Sequence, residues 1–412
     1  MGNTTIQSIL HINEKAGQFG GTEEYIESLA KLLSPIGISS HLIYDQLHGK
    51  MTKNMASSTR ISGLSDRQGN KGIGRKVLEA VSQINPDVVY VHNIFEHEIM
   101  QSLDIPDRNY KILWYVHDHY PTCLTELRAI NAMPESICRA ALSENCLSNI
   151  TEGYCIKRHA ERYFSNEALS ARIALLDTMQ YADAIIVVSE FMQETLIKNL
   201  PSIASKTYVL PRQVRIRGTQ IAAGHVSKNS KTWVVVYSGR ITYEKGLHLA
   251  ISALSQLQTD REILFKIAGP AETSDYWSHC LDLAQQAEFD NPFLKIQYEG
   301  HLSYERIDAL YAAADIVVIP SLWGEPLGTV AGEALVNGAA VIAYNVGGIS
   351  TFIQHEKTGI LVAPNDILAL TDAFMKLLSD DKYRHSLIEA GQQLILNQFT
   401  GNTHLQALSR LL

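Results

Sequence analysis

Apolar and polar positions along this chain follow two alternating rhythms. Short runs rich in Val, Ile, Leu and Tyr at Ile6–Ile12, Ser39–Tyr44, Asp87–His92, Lys111–His117, Ala184–Ser189 and Thr207–Leu210 read as strands. Several are apolar without interruption, as strands buried on both faces of a parallel sheet are. Helical stretches such as Glu23–Leu33 and Ile173–Tyr181 lie between them. The rhythm lapses from Arg212 to Lys231, a polar stretch with Gly218, Gly224, Ser227 and Ser230 that reads as a linker. A second series then begins, with strands at Trp233–Ser238, Ile263–Ala268, Leu294–Tyr298, Asp315–Pro320, Ala340–Tyr344 and Gly359–Val362. After its first strand, Leu247, Ala250, Ile251, Leu254 and Leu257 repeat at helical spacing and predict one buried face. Two such series predict an α/β chain of two doubly wound, Rossmann-like domains, residues 1–211 and 232–395, joined by a linker at 212–231. Ligands bind such sheets at the C-terminal strand ends, where strand order reverses. Two domains facing each other would build a cleft from those loops.

A chain of 412 residues is too long for one ordinary core, which agrees with two domains. Its 46% hydrophobic and 19% charged content is that of a globular protein. No apolar run reaches the length of a membrane span, and the first residues read as a strand rather than a signal peptide, so a cytoplasmic protein is expected. The net charge of −8 argues against nucleic acid as a partner. Basic residues nevertheless gather between Lys50 and Lys76 (Lys50, Lys53, Arg60, Arg67, Lys71, Arg75, Lys76) against one acid, Asp66. This Ser- and Gly-rich stretch reads first as a mobile, solvated loop, and second as a patch for an anionic acceptor or for peripheral contact with the inner membrane face. Cys123, Cys138, Cys146 and Cys155 share one short segment without the close Cys pair of a zinc site, and read as free thiols rather than metal ligands.

The chemistry concentrates at predicted strand ends. Gly324-Glu325-Pro326-Leu327-Gly328-Thr329 turns out of a buried strand into a helix that carries Glu333. Glu325 falls in the loop and Glu333 about a turn inside the helix, roughly 6 Å below its mouth. The free N–H groups at the helix start form an anion site between two carboxylates, which fits a sugar nucleotide. Gly239-Arg240 and Lys245 end the first strand of the second series; Arg240 suits bidentate phosphate binding and Lys245 adds a point charge, and together they are the expected countercharge for the two glutamates. Gly20 and Gly21 end the first strand of the chain and open a helix, though their spacing matches neither a dinucleotide fingerprint nor a P-loop. His117, Asp118 and His119 end the strand Lys111–His117, and His92 ends the one before it, so all four face the expected cleft. No third ligand cluster and no Asp-x-Asp pair supports a metal, and no nucleophile elbow supports a hydrolase.

The chain resembles the retaining glycosyltransferases of family 4, with the two-Rossmann-domain GT-B fold. The resemblance rests on the E-x7-E element Glu325 to Glu333 within GEPLGTVAGEAL, on YSGRITYEKGLHLAI at Tyr237–Ile251, on IAGPAE, on the run Gly300–Ser321, on NVGG and TGILV, and on GGTEEYIESLAKLL, YVHD and VVSEFMQETL in the first half. It implies that Arg240 and Lys245, with Gly239, hold the donor diphosphate. Backbone at Pro326, Leu327, Gly328 and Thr329 would hold sugar and phosphate. Glu325 would bind hydroxyls of the donor sugar and Glu333 those of the ribose. Gly20 and Gly21 would pack against donor and acceptor, and His117 would bind the transferred sugar near the reacting carbon. Asp118, His119 and His92 become acceptor-side candidates. The family also implies a final helix, within residues 396–412, that crosses back to the first domain. The implied reaction moves a hexose from a nucleotide-diphosphate sugar, most often a UDP-sugar, to a hydroxyl-bearing acceptor, by metal-independent front-face attack and without a cofactor.

Three departures from the family pattern stand out. Leu210-Pro211-Arg212-Gln213-Val214 replaces the common Asn-Gly-Val-Asp turn, Ser350 and Thr351 replace a Pro-Glu pair, and the Cys-bearing stretch Cys123–Cys155 is an insert where acceptor binding varies. Two alternatives keep the fold: an epimerase or phosphorylase, and a member that binds sugar nucleotide without turnover.

Overall fold

The computed structural model describes residues 6–17, 20–51, 53–67, 71–131, 136–157, 164–216, 232–271 and 275–412. Gln18, Phe19, Glu272 and most of the expected linker lie outside them. The described residues of the first half include the strands β1 (Ser8–Ile12), β2 (Lys15–Gly17), β3 (Ser39–Tyr44), β4 (Gln46–His48), β5 (Ser57–Arg60), β6 (Val88–Val91), β7 (Lys111–Val116), β8 (Ala184–Val187) and β9 (Thr207–Val209). Seven form a parallel sheet in the order β5-β3-β1-β6-β7-β8-β9, while β2 and β4 pair separately. The second half supplies β10 (Thr232–Ser238), β11 (Glu262–Ala268), β12 (Leu294–Gly300), β13 (Ile316–Ile319), β14 (Ala340–Tyr344) and β15 (Ile360–Val362). They pair in parallel as β12-β11-β10-β13-β14-β15. Strand order reverses between β1 and β6 in one sheet and between β10 and β13 in the other.

Burial explains why these runs became strands. Every residue of β6, β8, β13 and β14 is buried, so both faces of the sheets are covered by helices. The helix Gly21–Leu33 buries Tyr25, Ile26, Leu29, Ala30 and Leu33 on one stripe, and Glu23 and Glu24 occupy its electropositive first turn. Full burial of a side chain such as Leu29 stabilises by about 1.5–3 kcal/mol. Leu247, Ala250, Ile251, Leu254 and Leu257, the predicted apolar face, are all within the core.

The chain ends by returning. The helix Asp381–Gln398 packs on the second domain, and Phe399 breaks it. Thr400 caps a last helix, Gly401–Leu408, through a reciprocal capping box. That helix docks on the first domain, where His404 meets the Tyr25 hydroxyl at 3.0 Å and Leu408 is fully buried. Three residues of the expected segment, Leu396, Asn397 and Gln398, still belong to the preceding helix.

The basic stretch from Lys50 to Lys76 is not a solvated loop among its described residues. It holds the edge strand β5, whose SSTR sequence is polar because an edge strand needs no apolar face. Arg67 donates to Glu126 at 2.6 Å and stacks over Phe95 and Tyr120, so it is committed to the first domain. Arg60 donates to the Asp45 carbonyl and Arg75 pairs with Glu79. The insert is a small lobe in which Ala129 pairs with Ile137 and Ile130 with Cys155. All five cysteines are unpaired, and no group of three or more His, Cys, Asp or Glu among the described residues is arranged to hold a metal. Among the described residues, no helix is long and apolar enough to cross a membrane.

Two loops carrying candidate chemistry are held together by a glycine. Gly246 has φ +70°, and a Cβ there would lie 1.9 Å from the Pro320 carbonyl oxygen. Gly246→Ala should therefore destabilise by about 3 kcal/mol, combining left-handed backbone strain with a backbone clash. Urea unfolding should show a lower midpoint at constant slope; an unchanged midpoint would contradict this packing.

Candidate active site

The strand ends converge on one interdomain region. In the second domain, β13 runs into Pro320 and the loop turns through Trp323, Gly324 and Glu325 before the helix Thr329–Val336. Gly328 caps that helix at φ +72°, where a Cβ would strike the Ile349 side chain at 2.8 Å. The neighbouring loop after β10 packs alongside, with the Leu322 amide bonded to the Glu244 carbonyl at 2.8 Å. Arg240, one-third exposed, lies 3.7 Å from Glu244.

Glu325 is 5% exposed, and three donors converge on its Oε1: Lys245 Nζ at 2.5 Å, Trp323 Nε1 at 2.7 Å and Ser321 Oγ at 2.8 Å. A carboxylate so held is fixed in direction before any ligand arrives. Lys245 is therefore the countercharge of Glu325, as expected. Glu333 is matched differently from the expectation. Its cation is Arg215, at 3.9 Å, and neither Arg240 nor Lys245 pairs with it. Arg215 also holds Glu24 at 2.8 Å and Asp308 at 3.0 Å, and stacks over Tyr304. Burial lifts the Glu333 carboxyl to about 7, against the opposing pull of Arg215. Its side chain keeps 19% exposure at the cleft, which moderates that rise.

From the first domain, Gly20 and Gly21 begin the helix Gly21–Leu33, and Gly21 lies against the Arg212 guanidinium. His117 ends β7 but is only 7% exposed. Its Nε2 meets His92 Nδ1 at 2.9 Å, and His92 Nε2 meets His11 Nδ1 at 3.0 Å. Three imidazoles thus form one buried chain. His117 Nδ1 and His11 Nε2 close its two ends without partners. Burial drives all three well below the usual imidazole range; Arg212 adds to the effect at His117. His92, expected on the acceptor side, is instead the middle link, 1% exposed. His119 also departs from expectation: it is fully buried and its Nε2 meets the Gly324 carbonyl at 2.6 Å. That carbonyl can only accept, so Nε2 carries the proton. Asp118 accepts from the Tyr120 amide at 2.9 Å and is raised by burial and by Glu126.

The two domains meet on the motif itself. Besides His119, the Leu127 carbonyl accepts from the Gly324 amide at 3.0 Å, and Ser189 Oγ donates to the Pro326 carbonyl at 2.6 Å. Leu327 is buried beside them at 1% exposure. The NVGG loop closes the opposite side, where the Gly348 amide donates to the Glu325 carbonyl at 2.6 Å. Trp323 packs with Leu127, Ala129 and Ile156 of the insert, so the insert covers the loop that carries Glu325.

Sequence reasoning missed Trp323, Ser189, Arg212 and Arg215. Trp323 stands two residues before Glu325 and was visible as a neighbour of the motif. The arginines fell in a stretch read as linker; only the alternation of Val214 and Ile216 with polar residues hinted that Arg212–Ile216 is an extended crossing segment.

Residues 221–394 match the family profile of glycosyl transferases group 1, and residues 19–216 that of Glycosyltransferase Family 4. Both halves are glycosyltransferase domains. Glycogen synthase of Mycobacterium tuberculosis is 32% identical over 178 residues, 43% of this chain and 41% of that protein. The chain spans about two fifths of the length of the first curated relatives it matches. A glycosyltransferase from Rickettsia africae superposes with a TM-score of 0.71 at 20% identity, covering 98% of this chain and 97% of that one. HepE of Anabaena, solved with UDP-glucose, gives 0.65 at 18% identity, covering 98% of each chain. The architecture is GT-B: two parallel-sheet α/β domains and a last helix that crosses back.

The buried imidazoles make the glycosyltransferase fold sensitive to acid. His11 and His119 are lowered to about 3 and His404 to about 4, from an ordinary 6.5. Each stays neutral when folded and protonates near 6.5 when unfolded, so the unfolded chain binds more protons in acid. Stability present above pH 6.5 should fall steadily as pH drops toward 4. Denaturant titrations should show this, with a slope smaller by about one proton in His11→Asn. Equal slopes in both proteins would rule the explanation out.

Proposed function

We propose that this protein is a retaining glycosyltransferase that moves a sugar from a nucleoside-diphosphate sugar to a hydroxyl-bearing acceptor. The observation that carries the reading is the pair of carboxylates around the turn after β13: Glu325, held by Lys245, Trp323 and Ser321, and Glu333, held by Arg215. Arg240, Lys245 and the amides at the start of the helix Thr329–Val336 would receive the diphosphate. Glu325, already fixed by Trp323 and Ser321, would accept from hydroxyls of the sugar, and Glu333 from those of the ribose. His117 Nδ1, without a partner in the protein, is the atom available to the sugar from the first domain. The UDP-glucose complex of HepE supports a UDP-sugar donor by similarity of fold.

In this reading the anomeric carbon–oxygen bond breaks with its electron pair passing to the leaving diphosphate. The acceptor oxygen bonds to the same face of that carbon, and its proton goes to the diphosphate oxygen. Positive charge develops on the sugar and negative charge on the leaving group. Fixed donors placed where the negative charge grows lower the barrier, and a cleft closed over the donor favours transfer over hydrolysis. No metal ion is assigned a part, because Arg240, Lys245 and the helix mouth offer the countercharge.

Two measurements test this. Nucleotide release with purified protein and an acceptor pool should fall by about a hundredfold in Arg240→Ala and in Glu325→Ala. Full rates in both would make the site assignment wrong. Affinity for the nucleotide-sugar donor should rise as pH increases through about 7, because ionised Glu333 accepts hydroxyl protons better than its neutral form. Glu333→Gln should bind more weakly and lose that dependence; a variant with the wild-type profile would remove Glu333 from the ribose.

A further inference from the structure

Charge in the cleft is matched almost completely within the protein. Lys245 is held by Glu325, Arg240 lies beside Glu244, and Arg215 serves Glu24, Asp308 and Glu333. Arg212 is the exception. It makes no hydrogen bond or ion pair among the described residues, and its Nε is buried without a partner. It lies on the segment that crosses between the two sheets and lines a cleft with Gly21, Tyr25, Thr329 and Glu333. The guanidinium lies against the backbone of Gly21, since a Cβ there would fall 2.4 Å from Nη1 and 3.1 Å from Nη2. Gly21 opens one helix of 13 residues and Thr329 opens another of 8. Their unpaired amides and the unmatched cation therefore border the same space.

A half-buried guanidinium without a counterion is held at the expense of its hydration, and an arriving anion relieves that penalty. Its planar fork suits phosphate oxygens. The carboxylates in this cleft, Glu24 and Glu333, are both paired with Arg215, and Arg212 adds only a weaker attraction at Glu333, so an arriving anion would be its first direct partner. We propose that Arg212 is a third cationic ligand of the leaving nucleoside diphosphate, supplied by the interdomain crossing rather than by the donor domain. The proposal rests on the transferase reading. It gives the crossing segment a chemical role: the diphosphate would bind both domains and the hinge between them, and the charge that grows on the leaving oxygen would meet Arg212 from the side opposite Arg240 and Lys245. It also gives Gly21 a reason to lack a side chain.

The test uses the full chain and calorimetry with UDP, GDP and ADP, the matching nucleosides, and inorganic pyrophosphate. Arg212→Gln should weaken the preferred nucleoside diphosphate and pyrophosphate about tenfold or more, with nucleoside affinity unchanged, and Arg212→Lys should recover part of the loss. Transfer should fall in kcat as well. Should Arg212→Gln fail to fold, Gly21→Ala, whose methyl displaces the guanidinium, should show the same phosphate-specific loss. Wild-type affinity for the diphosphate in Arg212→Gln would overturn the proposal, as would an equal loss for nucleoside and diphosphate, which marks a structural role. Wild-type protein that binds no nucleoside diphosphate would fail the transferase reading itself, and the role of Arg212 with it.

Discussion

On either side of Glu325, the backbone groups of Gly324 and Pro326 are satisfied by partners that their own domain does not supply. The Gly324 amide and carbonyl turn to Leu127 and His119, and the Pro326 carbonyl to Ser189, all in the first domain. Buried backbone groups left without partners are expensive, so this loop takes its shape only when the two domains are together. The position of Glu325, and hence of everything assembled around it, depends on that junction.

Electrostatics follows the same plan. Each carboxylate at the cleft is given a cation before any ligand binds, and the pairs are separate: Lys245 with Glu325, Arg215 with Glu333. Removing one partner of such a half-buried pair leaves the other charge exposed to desolvation, which is worse than never having had the pair. Arg215 is the more demanding case, because its three carboxylates come from both domains. It joins the helix Gly21–Leu33 to the elements carrying Asp308 and Glu333, so the position of Glu333 and the interdomain angle are set together. Neutral imidazoles do the remaining polar work in the interior, where a charge would be too costly. The chain His11–His92–His117 orients His117 by hydrogen bonds alone.

The insert belongs to this arrangement as well. Through Leu127, Ala129 and Ile156 it covers Trp323, and through Glu126 it engages Arg67. A segment expected to vary with the acceptor thus also shields the loop that carries Glu325. Arg67 was expected in solvent because Ser and Gly around it break any periodicity, yet its guanidinium found two aromatic rings and a carboxylate far away in sequence.

Period and motif alone determined the two parallel sheets, the helix after β10, and the strand ends at which Arg240, Lys245 and Glu325 lie. Those features are local: an uninterrupted apolar run, a 3.6-residue stripe and a turn of Pro and Gly are written in neighbouring residues. Tertiary structure decided which charges meet. Arg215 against Glu333, His119 against Gly324, and Arg212 left unmatched beside Gly21 are contacts between residues distant in sequence. A polar segment between two apolar series looks like a linker whether it is solvated or threads a cleft. The difference lies in what surrounds it, and spacing along the chain does not encode that.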